Sequence, residues 1–173
     1  MWRRGELRCS ESDSTTWRSP VGAEARLIEL GITLDPPVAP VANYVSAVRT
    51  GSLVYLSGHG PVDASGTLRS GKVGQDLDLE AARGAARLTA LGLLSTLRTE
   101  LGSLDRVTRV VKVFAMVNCA PGFNQMPEVV NGCSDLLVEV FGDEIGRHAR
   151  SAVGMAELPM DVAVEIEMIV EFD

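Results

Sequence analysis

The amino-acid sequence predicts an α+β domain, with two long helices on one face of a mixed β-sheet. Three patterns carry that expectation. The stretch from Val162 to Phe172 alternates strictly, with Val162, Val164, Ile166, Met168, Val170 and Phe172 on one face and Ala163, Glu165, Glu167 and Glu171 on the other. A period of two is a strand with one face in a core. The stretches 76–102 and 126–141 instead repeat apolar residues at helical spacing, and short Val-rich runs precede and separate them. The order that results is β-β-(β)-α-β-α-β-β, in a chain whose 173 residues suit a single domain.

Taken in order, residues 1–20 carry Arg3, Arg4, Arg8 and Arg18 among Ser and Thr with no apolar core segment, so a disordered tail is expected rather than a secretory signal. Residues 21–37 form an N-terminal extension: a short helix over 22–30 with Gly31 at its end, then the stiff connector that begins Asp35-Pro36-Pro37. The main domain is expected over 38–173. It opens with strands over 44–48 and 53–57, joined through Gly51 as a hairpin. A turn at Asp63-Ala64-Ser65-Gly66 precedes a third short strand at 67–69, the bracketed element. Asp76 or Asp78 caps the first long helix, which ends at Gly102. Its expected buried stripe is Leu77, Ala81, Ala85, Leu88, Leu91 and Leu94. The small residues Ala81, Ala82, Gly84, Ala85 and Ala86 would let its backbone approach a sheet closely. A strand over 107–117, reached through that helix, is expected to run parallel to one of the earlier strands. The second long helix covers 126–141 and closes at Gly142.

Composition excludes several function classes. A net charge of −7 argues against a nucleic-acid surface. Cys9, Cys119 and Cys133 are odd in number and lack paired-ligand spacing, which suits a reduced, cytoplasmic protein without a disulfide scaffold. No apolar run reaches membrane-spanning length. With 2 histidines, His59 and His148, and no ligand cluster, no metal centre is expected, and both read as surface imidazoles. The glycines around Gly58-His59-Gly60 and Gly71-Lys72-Val73-Gly74 fit no nucleotide fingerprint, so no cofactor is expected.

Arg150 to Met155 also reads as extended, and Glu157-Leu158-Pro159-Met160-Asp161 reads as a turn. A hairpin centred near Leu158 would set Arg150 opposite or diagonal to Glu165 and Glu167 on one face. The guanidinium fork would there meet a planar carboxylate, from the protein or from a ligand. The alternative is a plain salt bridge.

Arg150-Ser151, Leu158-Pro159 and Val164-Glu165-Ile166-Glu167, in this order, resemble the C-terminal signature of the Rid/YjgF family of reactive-intermediate (enamine/imine) deaminases. Asn43-Tyr44-Val45 and the stretch from Gly51 through Ser57-Gly58-His59-Gly60-Pro61 are similar to the family's early block. The resemblance runs from about Val38 to Phe172. It implies a chorismate-mutase-like fold, a homotrimer with clefts between subunits, and hydrolysis of 2-imino acids to 2-keto acids and ammonia without a cofactor. The matching roles would be Arg150 for the substrate carboxylate, Glu165 for the attacking water, and Tyr44, Ser57 and Gly58 for the pocket, with Glu167 competing for the role of Glu165 and His59 tuning the site. Ala152 stands where many members carry a cysteine, which removes thiol chemistry there. Two alternatives follow: a non-catalytic trimer that binds a 2-keto acid, and the endoribonuclease activity sometimes attached to the family, which the acidity disfavours. A sheet bare on one face also needs cover, which packing of copies would supply.

Overall fold

The computed structural model describes residues 22–39 and 42–173; the tail expected at 1–20 lies outside the described residues. Helix α1 (Ala23–Glu29) is followed by strands β1 (Ala47–Thr50) and β2 (Leu53–His59), helix α2 (Leu79–Leu101), strand β3 (Val107–Asn118), helix α3 (Met126–Gly146), and strands β4 (Ala149–Met155) and β5 (Val164–Phe172). One mixed sheet has the order β1-β2-β5-β3-β4. Helices α2 and α3 lie side by side on one of its faces and close the core.

β5 is the centre of the sheet because its core face is wholly apolar: Val164, Ile166, Met168 and Val170 are all buried, with Glu165 and Glu167 pointing the other way. Such a strand needs a neighbour on each side, and it pairs antiparallel with both β2 and β3. β2 and β3 therefore run in the same direction with β5 between them, as the helical crossover requires.

The expected hairpin near Leu158 does not form. β4 pairs with β3, in parallel, with α3 as the crossover. The turn signal at Pro159 is genuine, a single 3-10 turn over Pro159–Asp161, but it leads the chain from the sheet edge back across β3 to the centre. In consequence Arg150 shares its register with Val113 on the helix side, whereas Glu165 pairs with Met116 and Glu167 with Phe114 on the helix-free side. Within one chain the guanidinium and the two carboxylates do not project together.

Smaller departures have local causes. β1 begins at Ala47, because a two-residue turn with Gly51 at φ 57 pairs Thr50 with Leu53 and moves the strand towards the turn; Tyr44 thus precedes the strand. The stretch 67–69 makes only one isolated bridge, Leu68 with Val62, and Ser70 just after it makes another with Val162. Of the two aspartates, Asp78 caps α2, accepting from the Ala81 amide at 2.8 Å. α2 is held between the sheet and α3, so two of its faces are buried: Ala82, Ala85, Ala86, Ala90, Leu93, Leu94 and Leu97 form them, and Ala81 is exposed. The small residues bring α2 close to α3, where a Cβ added at Gly132 would overlap the Arg83 carbonyl oxygen. Gly142 leaves helical conformation at φ 76, and a further turn follows before Arg147.

The extension is docked. The Arg26 guanidinium donates to the Glu139 carbonyl at 3.0 Å and Glu24 accepts from the Leu104 amide at 2.9 Å. Leu27 and Leu34 are buried in the main core. The buried Ser95 hydroxyl donates to the Asp35 carbonyl, and Arg98 donates to the Leu34 carbonyl at 3.1 Å, fixing where the connector leaves α2.

Candidate functional site

β2 runs past the paired end of β1: Ala47 pairs with Leu56, and Ser57, Gly58 and His59 continue beyond it. The register with β5 shifts between Leu56 and His59, a bulge that turns this end of the strand. A cavity of about 820 Å³ opens here, and Tyr44, Ser57, Gly58, His59 and Glu165 line it together. Ser57 donates its hydroxyl to the Val45 carbonyl at 2.7 Å, tying the segment that carries Tyr44 to the strand end.

The Glu165 carboxylate lies directly over Gly58. A Cβ on Gly58 would overlap it, so this close approach requires glycine. Glu165 is half-buried, and its carboxylate has neither a hydrogen bond nor an ion pair among the described residues. Burial first, and the Glu167 charge second, push its pKa above the ordinary carboxylate value. An unpaired carboxylate of raised basicity beside a cavity suits a group that accepts a proton from water. Glu167, one repeat along β5, is exposed and is not among the cavity residues.

His59 is not a surface imidazole. Its Nδ1–H donates to the Ser57 carbonyl at 2.7 Å, which leaves Nε2 to accept from the Thr96 hydroxyl at 2.8 Å. Burial lowers its pKa, although the bond to Ser57 opposes the shift. The neutral ring braces the bulge between β2 and α2. His148 is likewise engaged: Nδ1–H donates to the Gly146 carbonyl at 2.7 Å and Nε2 accepts from Ser134 at 3.0 Å.

Arg150 stands apart from this cavity, on the edge strand β4 and against α3. Its Nη1 donates to Asn131 Oδ1 at 2.8 Å and to Ser134 Oγ at 3.1 Å, and Nη2 donates to the Pro127 carbonyl at 3.3 Å. These bonds use three of the five N–H donors of a guanidinium. Among the described residues Nε–H and one Nη2–H have no partner and remain for a carboxylate, on a group whose rotamer α3 already holds. Ala152 is on the same strand face and packs against the core. The nearby Cys133 thiol is buried and pushed up to about 12, so it supplies no thiolate in its place.

Sequence reasoning missed the rest of the lining. Leu88, Leu91, Gly92 and Ser95 of α2, the connector Pro36 to Ala39, and Met160 all face the cavity. The one available signal was Gly92, a glycine within a run of leucines where helix propensity disfavours it. Met160 and Asp161 hold positive φ of 55, uncommon for residues other than glycine. The buried Asn118 anchors that turn, donating to Asp161 Oδ1 at 2.7 Å and accepting from Lys72 at 3.0 Å. Asn131 and Ser134 were legible only as polar interruptions, three residues apart, in the apolar stripe of α3.

Among the described residues no group of three or more His, Cys, Asp or Glu is placed to hold a metal ion, and no helix is long and apolar enough to cross a membrane.

The model of the family described as endoribonuclease L-PSP matches residues 35–172. The Trypanosoma cruzi protein TCP17 is 45% identical over 149 residues, covering 86% of this chain and 93% of that protein. A 2-iminobutanoate/2-iminopropanoate deaminase from Dermatophagoides farinae is 30% identical over 141 residues, covering 79% of this chain and 93% of its own. Among solved structures, a protein of unknown function from Agrobacterium tumefaciens superposes with a TM-score of 0.79 at 42% identity, covering 87% of this chain and 94% of that one.

Proposed function

The chain belongs to the Rid/YjgF family, also described as endoribonuclease L-PSP, and from that premise we propose that it hydrolyses 2-imino acids to 2-keto acids and ammonia in a cleft completed by a second copy of itself. The observation that carries this reading is the Glu165 carboxylate, unpaired among the described residues and held over Gly58 with its pKa raised by burial. In the reaction, water adds to the iminium carbon as Glu165 takes one of its protons. That proton passes to the amine nitrogen of the tetrahedral adduct; the C–N bond then breaks, the lone pair on oxygen forms the keto group, and the hydroxyl proton passes by way of Glu165 to the departing ammonia. An iminium and one water give one keto acid and one ammonium ion, so no redox partner is needed.

The substrate also carries a carboxylate, and among the described residues the cavity of one chain brings no arginine to Glu165. Arg150, with two donors open and its rotamer fixed by Asn131 and Ser134, supplies the missing anchor from a neighbouring copy. The helix-free face of the sheet favours such an assembly. Val48 and Tyr55 are 53% and 44% exposed there, and Phe114, Met116 and Ile169 are only partly covered. Packing copies together through this face, as a homotrimer, would cover them.

A coupled assay tests the reading. An amino-acid oxidase generates the imine, and the purified protein is expected to accelerate its hydrolysis, with the acceleration lost in Arg150→Ala. Full activity in that variant would overturn the role of Arg150. Ala152 favours a second reading, in which the same cleft holds a 2-keto acid without turnover. Keto-acid binding by calorimetry with no acceleration of any imine would select it. Cleavage of RNA is disfavoured by the net charge of −7.

A further inference from the structure

The cavity is much longer than the smallest 2-imino acids. On α2, Leu88, Leu91, Gly92 and Ser95 face it at successive helical intervals. The seven residues of rise from Leu88 to Ser95 extend it about 10 Å along the helix. A four-carbon imino acid spans only about 4 Å from its carboxylate carbon to its terminal methyl, at roughly 1.5 Å per C–C bond. At about 820 Å³ the cavity has the size of pockets that take drug-sized ligands.

Its chemistry is divided. The polar groups, Glu165 with the Ser57–Gly58 strand end, sit where β2 overruns β1. The remainder is mostly apolar, walled by Val38, Val62, Leu68, Leu88, Leu91 and Met160, although Asp35, Asp63 and Ser95 also reach the lining. This wall is built in advance of any ligand. Leu34 is buried, and Ser95 and Arg98 of α2 hold the carbonyls of Asp35 and Leu34, so the connector is fixed where it closes the cavity. Gly92 keeps the helix side open. A Cβ there would meet nothing nearer than His59 Cδ2 at 3.7 Å, so no packing demand explains the glycine. Its effect is the room left in front of it.

Resting on the imine-hydrolase reading above, we propose that the preferred substrates are 2-imino acids with bulky apolar side chains, branched aliphatic or aromatic, whose side chain lies along α2 beneath the connector. The imine carbon stays at Glu165, the carboxylate on Arg150 of the neighbouring copy, and the side chain displaces water from the apolar arm. Discrimination between substrates that differ by apolar groups in such a pocket amounts to tenfold or more.

The experiment compares imines generated from alanine, leucine and phenylalanine, together with calorimetric binding of pyruvate and 4-methyl-2-oxopentanoate. Gly92→Leu is the key variant, since a helix former replaces glycine on an open helix face. For the wild type, kcat/KM at least tenfold higher with the leucine-derived than with the alanine-derived imine is expected. In Gly92→Leu that ratio should fall at least tenfold, with the circular dichroism of the wild type retained. Equal kcat/KM for the three imines, or a ratio unmoved by Gly92→Leu, would overturn the apolar arm and leave the deaminase standing. If no imine is turned over but 4-methyl-2-oxopentanoate binds at least tenfold more tightly than pyruvate, the deaminase reading falls and the arm stands as a keto-acid site. Equal affinities for the two keto acids would overturn the arm whatever the kinetics show.

Discussion

At the residue scale the site turns on one contact, the Glu165 carboxylate over a residue that has no side chain. Gly58→Ala should push the carboxylate off its position, since the new Cβ would occupy its space. Imine hydrolysis is expected to fall by about 100-fold, the range of a lost general base or a misplaced one, while thermal unfolding shows the chain still folded. The pH profile gives a second test. The working form of Glu165 is the carboxylate, and burial and then Glu167 raise its pKa. Activity should therefore be lost as pH falls through a value above the ordinary carboxylate range. Glu167→Gln removes the like charge and should move that acid limb to lower pH, without returning it to the ordinary value because burial remains. Alternation along β5 was enough to predict that Glu165 and Glu167 share the face opposite the core. That only Glu165 reaches the cavity depends on the bulge in β2, and no pattern within β5 contains it.

Elements read locally were legible, whereas pairings between distant elements were not. The period of β5, an aspartate cap (Asp78 of the two candidates) and the Gly102 stop of α2 are short-range signals with short-range causes, and the structure has them within the stretches the sequence expects. The turn at Pro159 was also visible, but a turn does not state which strands it joins. β5 has an apolar core face with partners on both sides, so the centre of the sheet goes to it and β4 is left at the edge. That single non-local outcome moved Arg150 to the opposite face from the glutamates. The small residues of α2 were legible in the same limited way: closeness was predicted, but the partner proved to be α3. Gly132→Ala should accordingly destabilise strongly, because the new methyl would overlap the backbone of Arg83, which cannot rotate away. Denaturant unfolding is expected to show a loss of about 3 kcal/mol, at the upper end of ordinary overpacking. A change below about 0.5 kcal/mol, the size of an ordinary surface substitution, would contradict close α2–α3 packing at this position.

For the whole molecule, one bare sheet face and one site to which the described residues bring no arginine point to the same solution. A homotrimer would have a mass three times 18.5 kDa, measurable by light scattering, and Tyr55→Glu on the exposed face should shift the mass towards the monomer with loss of activity. The placement of Arg150 and Glu165 on opposite faces makes a stronger demand. If each cleft draws Glu165 from one copy and Arg150 from the next, two inactive variants should repair each other. The decisive measurement mixes Glu165→Gln with Arg150→Ala after subunit exchange and assays imine hydrolysis. Each variant alone should be inactive, and the random mixture should recover activity in about a quarter of its clefts, those that receive both native residues. If exchange is shown by mass and no activity returns, Glu165 and Arg150 do not form a shared site, and the composite cleft is wrong.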